Sequence, residues 1–196
     1  MTRVRHPVEV ESYRILRSRV DTALLPPATR AVTERVIHTS ADLDYATDLV
    51  CDEDALCSGQ RALAAGASLV VDVRMLAAGI TSRLCVVAID LAGNPPEGLT
   101  RSAAGIRVAA AEYPDHAVWA VGNAPTALRE LIRLAEDGLV RPVLVIGLPV
   151  GFVDAAAAKA ALRDSGLPAL SNRSAKGGAA VAAAAVNALL YGEPDR

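Results

Sequence analysis

The chain has 196 residues, a formal net charge of −2, and a composition that is 52% hydrophobic but only 3% aromatic. That length suits one sizeable domain, and no composition shift marks a boundary, so residues 1–196 read as a single domain with a core at about 8–191. A chain without a basic field, a Lys/Arg-rich arm or aromatics interleaved with basic residues is not expected to bind nucleic acid.

The first expected element, Val8 to Leu25, is a basic amphipathic helix with Ile15, Leu16 and Val20 on one side, stopped by Pro26-Pro27. Its arginines are ordinarily a solvated face, yet Ser12 and Arg17 are close enough along the helix to meet one anionic ligand. A second helix starts at Pro27, with Val32, Val36 and Ile37 inward and Glu34 and Arg35 outward. It carries His38 to its C-terminal end, where unpaired carbonyls, with Asp42 and Asp44 nearby, favour the imidazolium and suit a general acid. A histidine there serves equally as a cap or a packing residue. A metal reading of His38, Asp42 and Asp44 is weak, because Asp42 suits an N-cap and no paired His or Cys stands at ligand spacing.

A helix over Asp52 to Ala65, closed by Gly66, is followed by short apolar runs at 68–73, 84–90, 117–122, 142–148 and 168–172, separated mostly by helical segments. This alternation predicts a three-layer α/β/α fold with a mainly parallel sheet, and such folds bind ligands beyond the carboxyl ends of the strands. Asp72 ends one such strand. Helix starts follow at Thr100, Arg101 and Ser102, at Gly122, Asn123 and Thr126, and after Gly147 and Gly151, each offering backbone N–H groups to an anion. With Arg101 and the pair Gly177-Gly178, they suggest a ligand bearing several carboxylates or phosphates. No phosphate-loop or dinucleotide spacing is present.

The cysteines Cys51, Cys57 and Cys85 show neither CxxC nor zinc spacing, and MTRVRHPVEVES lacks the apolar core of a signal peptide. The alanine-rich runs at 155–161 and 179–188 are too short or too interrupted to span a bilayer. A cytoplasmic protein with reduced thiols, no membrane partner and no bound metal is expected.

The strings ESYRILR, RVIHTSADLDYA, VDVRMLAAGI, TRSAAG, VGNAPTAL, GLPVGFVDAAAAK and KGGAAVAAAAVNALL, in that order from about Val10 to Leu190, resemble the precorrin-8X methylmutases. The resemblance implies a single-domain α/β homodimer that moves a methyl group from C-11 to C-12 of a corrin precursor, converting precorrin-8X to hydrogenobyrinate in cobalamin biosynthesis. It implies no redox change and no cofactor. The histidine matching His38 is the family's catalytic residue, a proton donor to the tetrapyrrole for a [1,5]-sigmatropic shift. Ser12, Arg17, Arg35, Thr100, Arg101 and Ser102 match motifs that line or border the family's substrate cleft, and Asn123 and Thr126 lie in its glycine-turn motif. Family members often carry an acidic or amide residue where this chain has Arg74, and the basic groups Arg173 and Lys176 are arranged slightly differently in the last loop. The motifs do not separate the metal-free substrate from cobalt-precorrin-8 of the anaerobic route. Two other classes remain open: a non-catalytic tetrapyrrole carrier, which needs no histidine, and a phosphosugar-type isomerase, which needs a strand-end base such as Asp72.

Overall fold

The computed structural model describes residues 6–192. Residues 1–5, the start of the stretch read as lacking a signal-peptide core, lie outside them. Ten helices and six strands follow in the order α1 (Pro7–Arg19), α2 (Pro27–Ser40), α3 (Tyr45–Asp48), β1 (Leu49–Cys51), α4 (Glu53–Ala64), β2 (Leu69–Val71), α5 (Arg74–Ala78), β3 (Val86–Val87), α6 (Ala88–Leu91), α7 (Arg101–Glu112), β4 (Val118–Val121), α8 (Pro125–Glu136), β5 (Leu144–Gly147), α9 (Ala155–Asp164), β6 (Ala169–Asn172) and α10 (Ala179–Tyr191). The strands form one sheet in the order β1-β6-β5-β4-β2-β3, parallel throughout except for β1 against β6.

Alternation along the strands divides the core into two halves. Leu69, Val71, Val118, Ala120, Leu144, Ile146 and Leu170 share one face with residues of α1, α2, α4 and α10. Val70, Trp119, Val121 and Val145 share the other with α7, α8 and α9. The expected three-layer arrangement is therefore present. With so few aromatics, close packing falls to small residues: α10 buries Ala182 and Ala185 completely, and α2 packs chiefly across α10.

Several boundaries differ from the sequence reading. Helix α1 ends at Arg19 rather than Leu25, because Thr22 is drawn inward to Glu34 and Asp21 accepts the amide of Ala23, which bends the chain away from the helix. Ile15 is exposed, and Tyr13 with Leu16 forms the buried face instead. The run at 84–90 is a strand only over Val86–Val87 before it turns into α6. Strand β1 went unread: three residues between a helical turn and a helix carry no period of their own, and pairing with β6 decides their conformation.

One close approach fixes the register of two helices. A Cβ on Gly105 of α7 would lie 2.3 Å from the carbonyl oxygen of Ala88. Gly105→Ala, ordinarily stabilising within a helix by about 1 kcal/mol, should here lower stability by about 2 kcal/mol, read as a fall in the urea midpoint at constant slope. A midpoint at or above the wild-type value would show that α7 and α6 are free to part.

Candidate functional site

Helix α2 carries the histidine to the carboxyl end of the sheet. Its N-terminus is held by Glu53, which accepts the backbone N–H groups of Ala28 and Thr29 and the Thr29 hydroxyl, whereas the segment after its C-terminus meets Lys176 beyond β6. His38 lies in the last turn, before Ala41 leaves the helix at φ 55°. Helix α1 lies against this turn. Ser12 Oγ is 2.7 Å from His38 Nδ1, and the Tyr13 ring stacks on the imidazole with centroids 4.9 Å apart and planes 12° from parallel. A pocket of about 120 Å³ opens here, lined among others by Ile15, Arg19, His38 and Leu43. A shallow groove along Val8, Glu11 and Ile15 shares Ser12 with it.

The junction of α1 and α2 rests on Glu34. Expected on the outer face, it is instead fully buried, for it sits where α1 crosses α2. Arg17 donates to it from α1 (2.8 Å), Arg30 from one turn earlier (3.1 Å) and Thr22 from the intervening turn (2.6 Å). Burial alone would raise this carboxyl's pKa, but the hydrogen bonds from Arg17, Thr22 and Arg30 outweigh it and hold the group below its usual value. Arg17, expected to face the ligand, donates its guanidinium to this buried carboxylate while its side chain stays about a third exposed. Arg35 likewise lies over the Tyr191 ring, 5.5 Å from its centroid.

A second cluster forms at the starts of α7 and α8. Thr100 caps α7, and its hydroxyl is 2.8 Å from that of Thr126 on α8, which brings Arg101, Ser102 and Asn123 to the same edge. Arg101 is exposed and, among the described residues, has no hydrogen bond or ion pair. The expected anion seat before α8 is already filled, however. Asp72, fully buried at the end of β2, accepts the N–H groups of Gly122 (3.1 Å), Asn123 (2.8 Å) and Ala124 (3.1 Å). Burial raises its pKa, and the three amides only partly offset that. Its place is the crevice between β2 and β4, where the strand order reverses and where such sheets usually bind ligands. The chain plugs that crevice with its own carboxylate, which leaves Asp72 in no position to act as a base on an external sugar.

Asp42 and Asp44 are also committed. Both accept from Lys176 Nζ, at 2.7 and 2.6 Å, and this pair draws the lysine's pKa upward. Asp42 forms a turn with the amide of Asp44 rather than capping a helix. No group of three or more His, Cys, Asp or Glu side chains among the described residues is placed to hold a metal. Arg74 pairs with Asp90, and the three cysteines are unpaired thiols with pKa values raised by burial. Sequence reasoning missed Tyr13 and the buried pair Lys159 and Asn172. A signal was present for Lys159, whose spacing from Ala155, Ala158 and Leu162 places it on the inward face of α9.

Comparison with known proteins decides the family, since the model of the precorrin-8X methylmutases matches residues 7–192. The chain belongs to this family. As a methylmutase it is an isomerase. The precorrin-8X methylmutase of Pseudomonas aeruginosa is 39% identical over 194 residues, covering 91% of each protein. The cobalt-precorrin-8 methylmutase of Synechocystis is 35% identical over 211 residues, covering 97% of each. A precorrin-8X methylmutase structure from Thermus thermophilus superposes with a TM-score of 0.84 at 33% identity, covering 93% of each chain. For this methylmutase, the junction that presents His38 should depend on Glu34. Glu34→Gln should cost roughly 2–4 kcal/mol, short of a fully buried pair because Arg17 and Arg30 remain about a third exposed. Since the folded carboxyl titrates below its unfolded value, its contribution is complete above that value and lost as pH falls through the folded one. The gap between wild type and variant in urea unfolding should therefore be widest above the unfolded carboxyl's value of about 4.5 and narrow steadily as pH falls below it; a constant gap would contradict the assignment.

Proposed function

We propose that the chain converts precorrin-8X to hydrogenobyrinate, with His38 lending a proton to the macrocycle and recovering it after the methyl group has moved from C-11 to C-12. The reaction is an isomerisation, so the proton balance closes on one residue and no redox partner or cofactor enters. The observation that carries the reading is the hold on His38: Ser12 Oγ meets Nδ1 at 2.7 Å and the Tyr13 ring stacks on the imidazole, which fixes the ring beside the pocket. The hydroxyl can accept from Nδ1–H or donate to Nδ1 when it is bare, so the contact survives a change of tautomer. Ile15 and Leu43 offer apolar wall to a large ring, and the exposed guanidinium of Arg101, beside the side chains of Thr100, Ser102, Asn123 and Thr126, suits its peripheral carboxylates.

The pocket at His38 holds only about 120 Å³ and the adjoining groove of about 490 Å³ is open along its length, so one chain does not enclose a large ring. The two clusters also lie in different layers, His38 with the helices over one face of the sheet and Thr100 with those over the other. Both facts support a homodimer in which the cleft lies at or beside the subunit contact. A cytoplasmic setting fits, as no helix among the described residues is long and apolar enough to cross a membrane. Cobalt-precorrin-8 stays an alternative substrate, with any cobalt carried by the substrate itself.

His38→Ala should remain dimeric by light scattering and still bind hydrogenobyrinate, while turnover, followed by the absorption change on product formation, falls about 100-fold or more. Near-normal turnover in that folded variant would overturn the catalytic assignment, and a fully active monomer at micromolar concentration would overturn the dimer. Arg101→Ala should weaken binding of the free-acid product by roughly 1.5–3 kcal/mol and of an amidated analogue much less. Equal losses would mean that Arg101 does not seat a carboxylate.

A further inference from the structure

Lys159 is fully buried on α9, where its neighbours along the helix are Ala155, Ala158 and Leu162. Burying an ammonium is costly, and an apolar side chain of the same length would fill that space at lower cost. The structure meets the charge with two acceptors outside the helix: Nζ donates to Asn172 Oδ1 at 2.7 Å and to the carbonyl of Lys176 at 2.6 Å. Burial pushes the amine down to about 8, against the pull of the Asp48 carboxylate.

Both acceptors belong to the turn that leaves β6. Asn172 Nδ2 donates to Asp48 and to the same Lys176 carbonyl, while Asp48 gathers the amides of Arg173 and Ser174 and the Ser174 hydroxyl. Gly151 N–H donates to Ala175 O, and Gly178 N–H to Leu148 O, which ties the turn to the segment after β5. Gly177, at φ 147°, presses so closely there that a Cβ would meet Leu148 O at 2.4 Å. The outer end of the turn is Lys176, whose ammonium holds Asp42 and Asp44, just beyond the helix end that carries His38.

We propose that Lys159 is a positioning residue for proton transfer at His38, acting through the 173–176 turn and Lys176 to fix the segment into which α2 ends. The proposal rests on His38 being the proton carrier. The buried lysine sets the turn, the turn aims Lys176, and Lys176 pins the chain at 42–44, so that the imidazole keeps its angle to the ring it protonates. A misplacement of an ångström at such a group costs rate rather than affinity.

The test is a double-mutant cycle on the full chain with precorrin-8X. Lys159→Met and Lys176→Met should each lower kcat about 5- to 10-fold with KM changed less than about 2-fold, and the double variant should be no slower than the slower single one. Lys176→Arg, which keeps charge and reach, should restore most of the rate. In a His38→Ala background neither change should lower the residual rate further. A wild-type kcat in Lys176→Met, or losses that multiply in the double variant, would overturn the proposal. The Lys176 side chain is 40% exposed, so this arm decides the matter even where Lys159→Met does not fold. Near-normal turnover in His38→Ala would overturn the underlying assignment, whereas an inactive His38→Ala beside a fully active Lys176→Met would overturn only the role of Lys159.

Discussion

The arrangement at His38 depends on one buried carboxylate. Glu34 has no access to solvent, and its charge is tolerable only because Arg17, Arg30 and Thr22 converge on it from three consecutive pieces of chain. That requirement locks the crossing of α1 over α2. With the crossing fixed, Ser12 and Tyr13 fall opposite His38, four residues along the helix from Glu34, and the ring is held by a hydrogen bond at one nitrogen and by a stacked face. A histidine so constrained keeps its ring in one orientation beside the pocket.

The same logic of internal neutralisation recurs along the carboxyl edge of the sheet. Asp72 satisfies the amides before α8, Lys176 neutralises Asp42 and Asp44, and Lys159 joins Asn172 and the last turn. These groups resemble binding or catalytic residues in type, yet each is consumed by the fold. Arg101 stands apart, exposed and without an internal partner among the described residues. What distinguishes seats for a ligand from struts of the fold is whether the chain has already met their charge.

The sequence was a good guide wherever a residue's role follows from local period. The apolar runs marked five of the six strands, and Val32, Val36 and Ile37 gave the inner face of α2. The string linking Thr100 to Ser102, and that around Asn123 and Thr126, did mark helix starts that meet in space. Long-range pairing was illegible. Nothing near Glu34 in the chain signals that Arg17 and Thr22 will bury it, and nothing near Gly122 announces Asp72, 50 residues away. β1 depended on β6 in the same way. Family motifs pointed to Arg17 and Arg35 beside His38, but gave no sign of the buried carboxylate and the tyrosine ring that these guanidinium groups meet.

The central claim, that His38 supplies the proton, is tested most directly by comparing two titrations of the wild-type protein. The imidazole of His38 is followed by NMR in the product-free enzyme, and kcat/KM for precorrin-8X is followed over the same pH range. The account predicts that the alkaline fall in kcat/KM has the same midpoint as the loss of the His38 proton, because kcat/KM reports the free enzyme's essential acid. A rate that stays level while His38 loses its proton would contradict it.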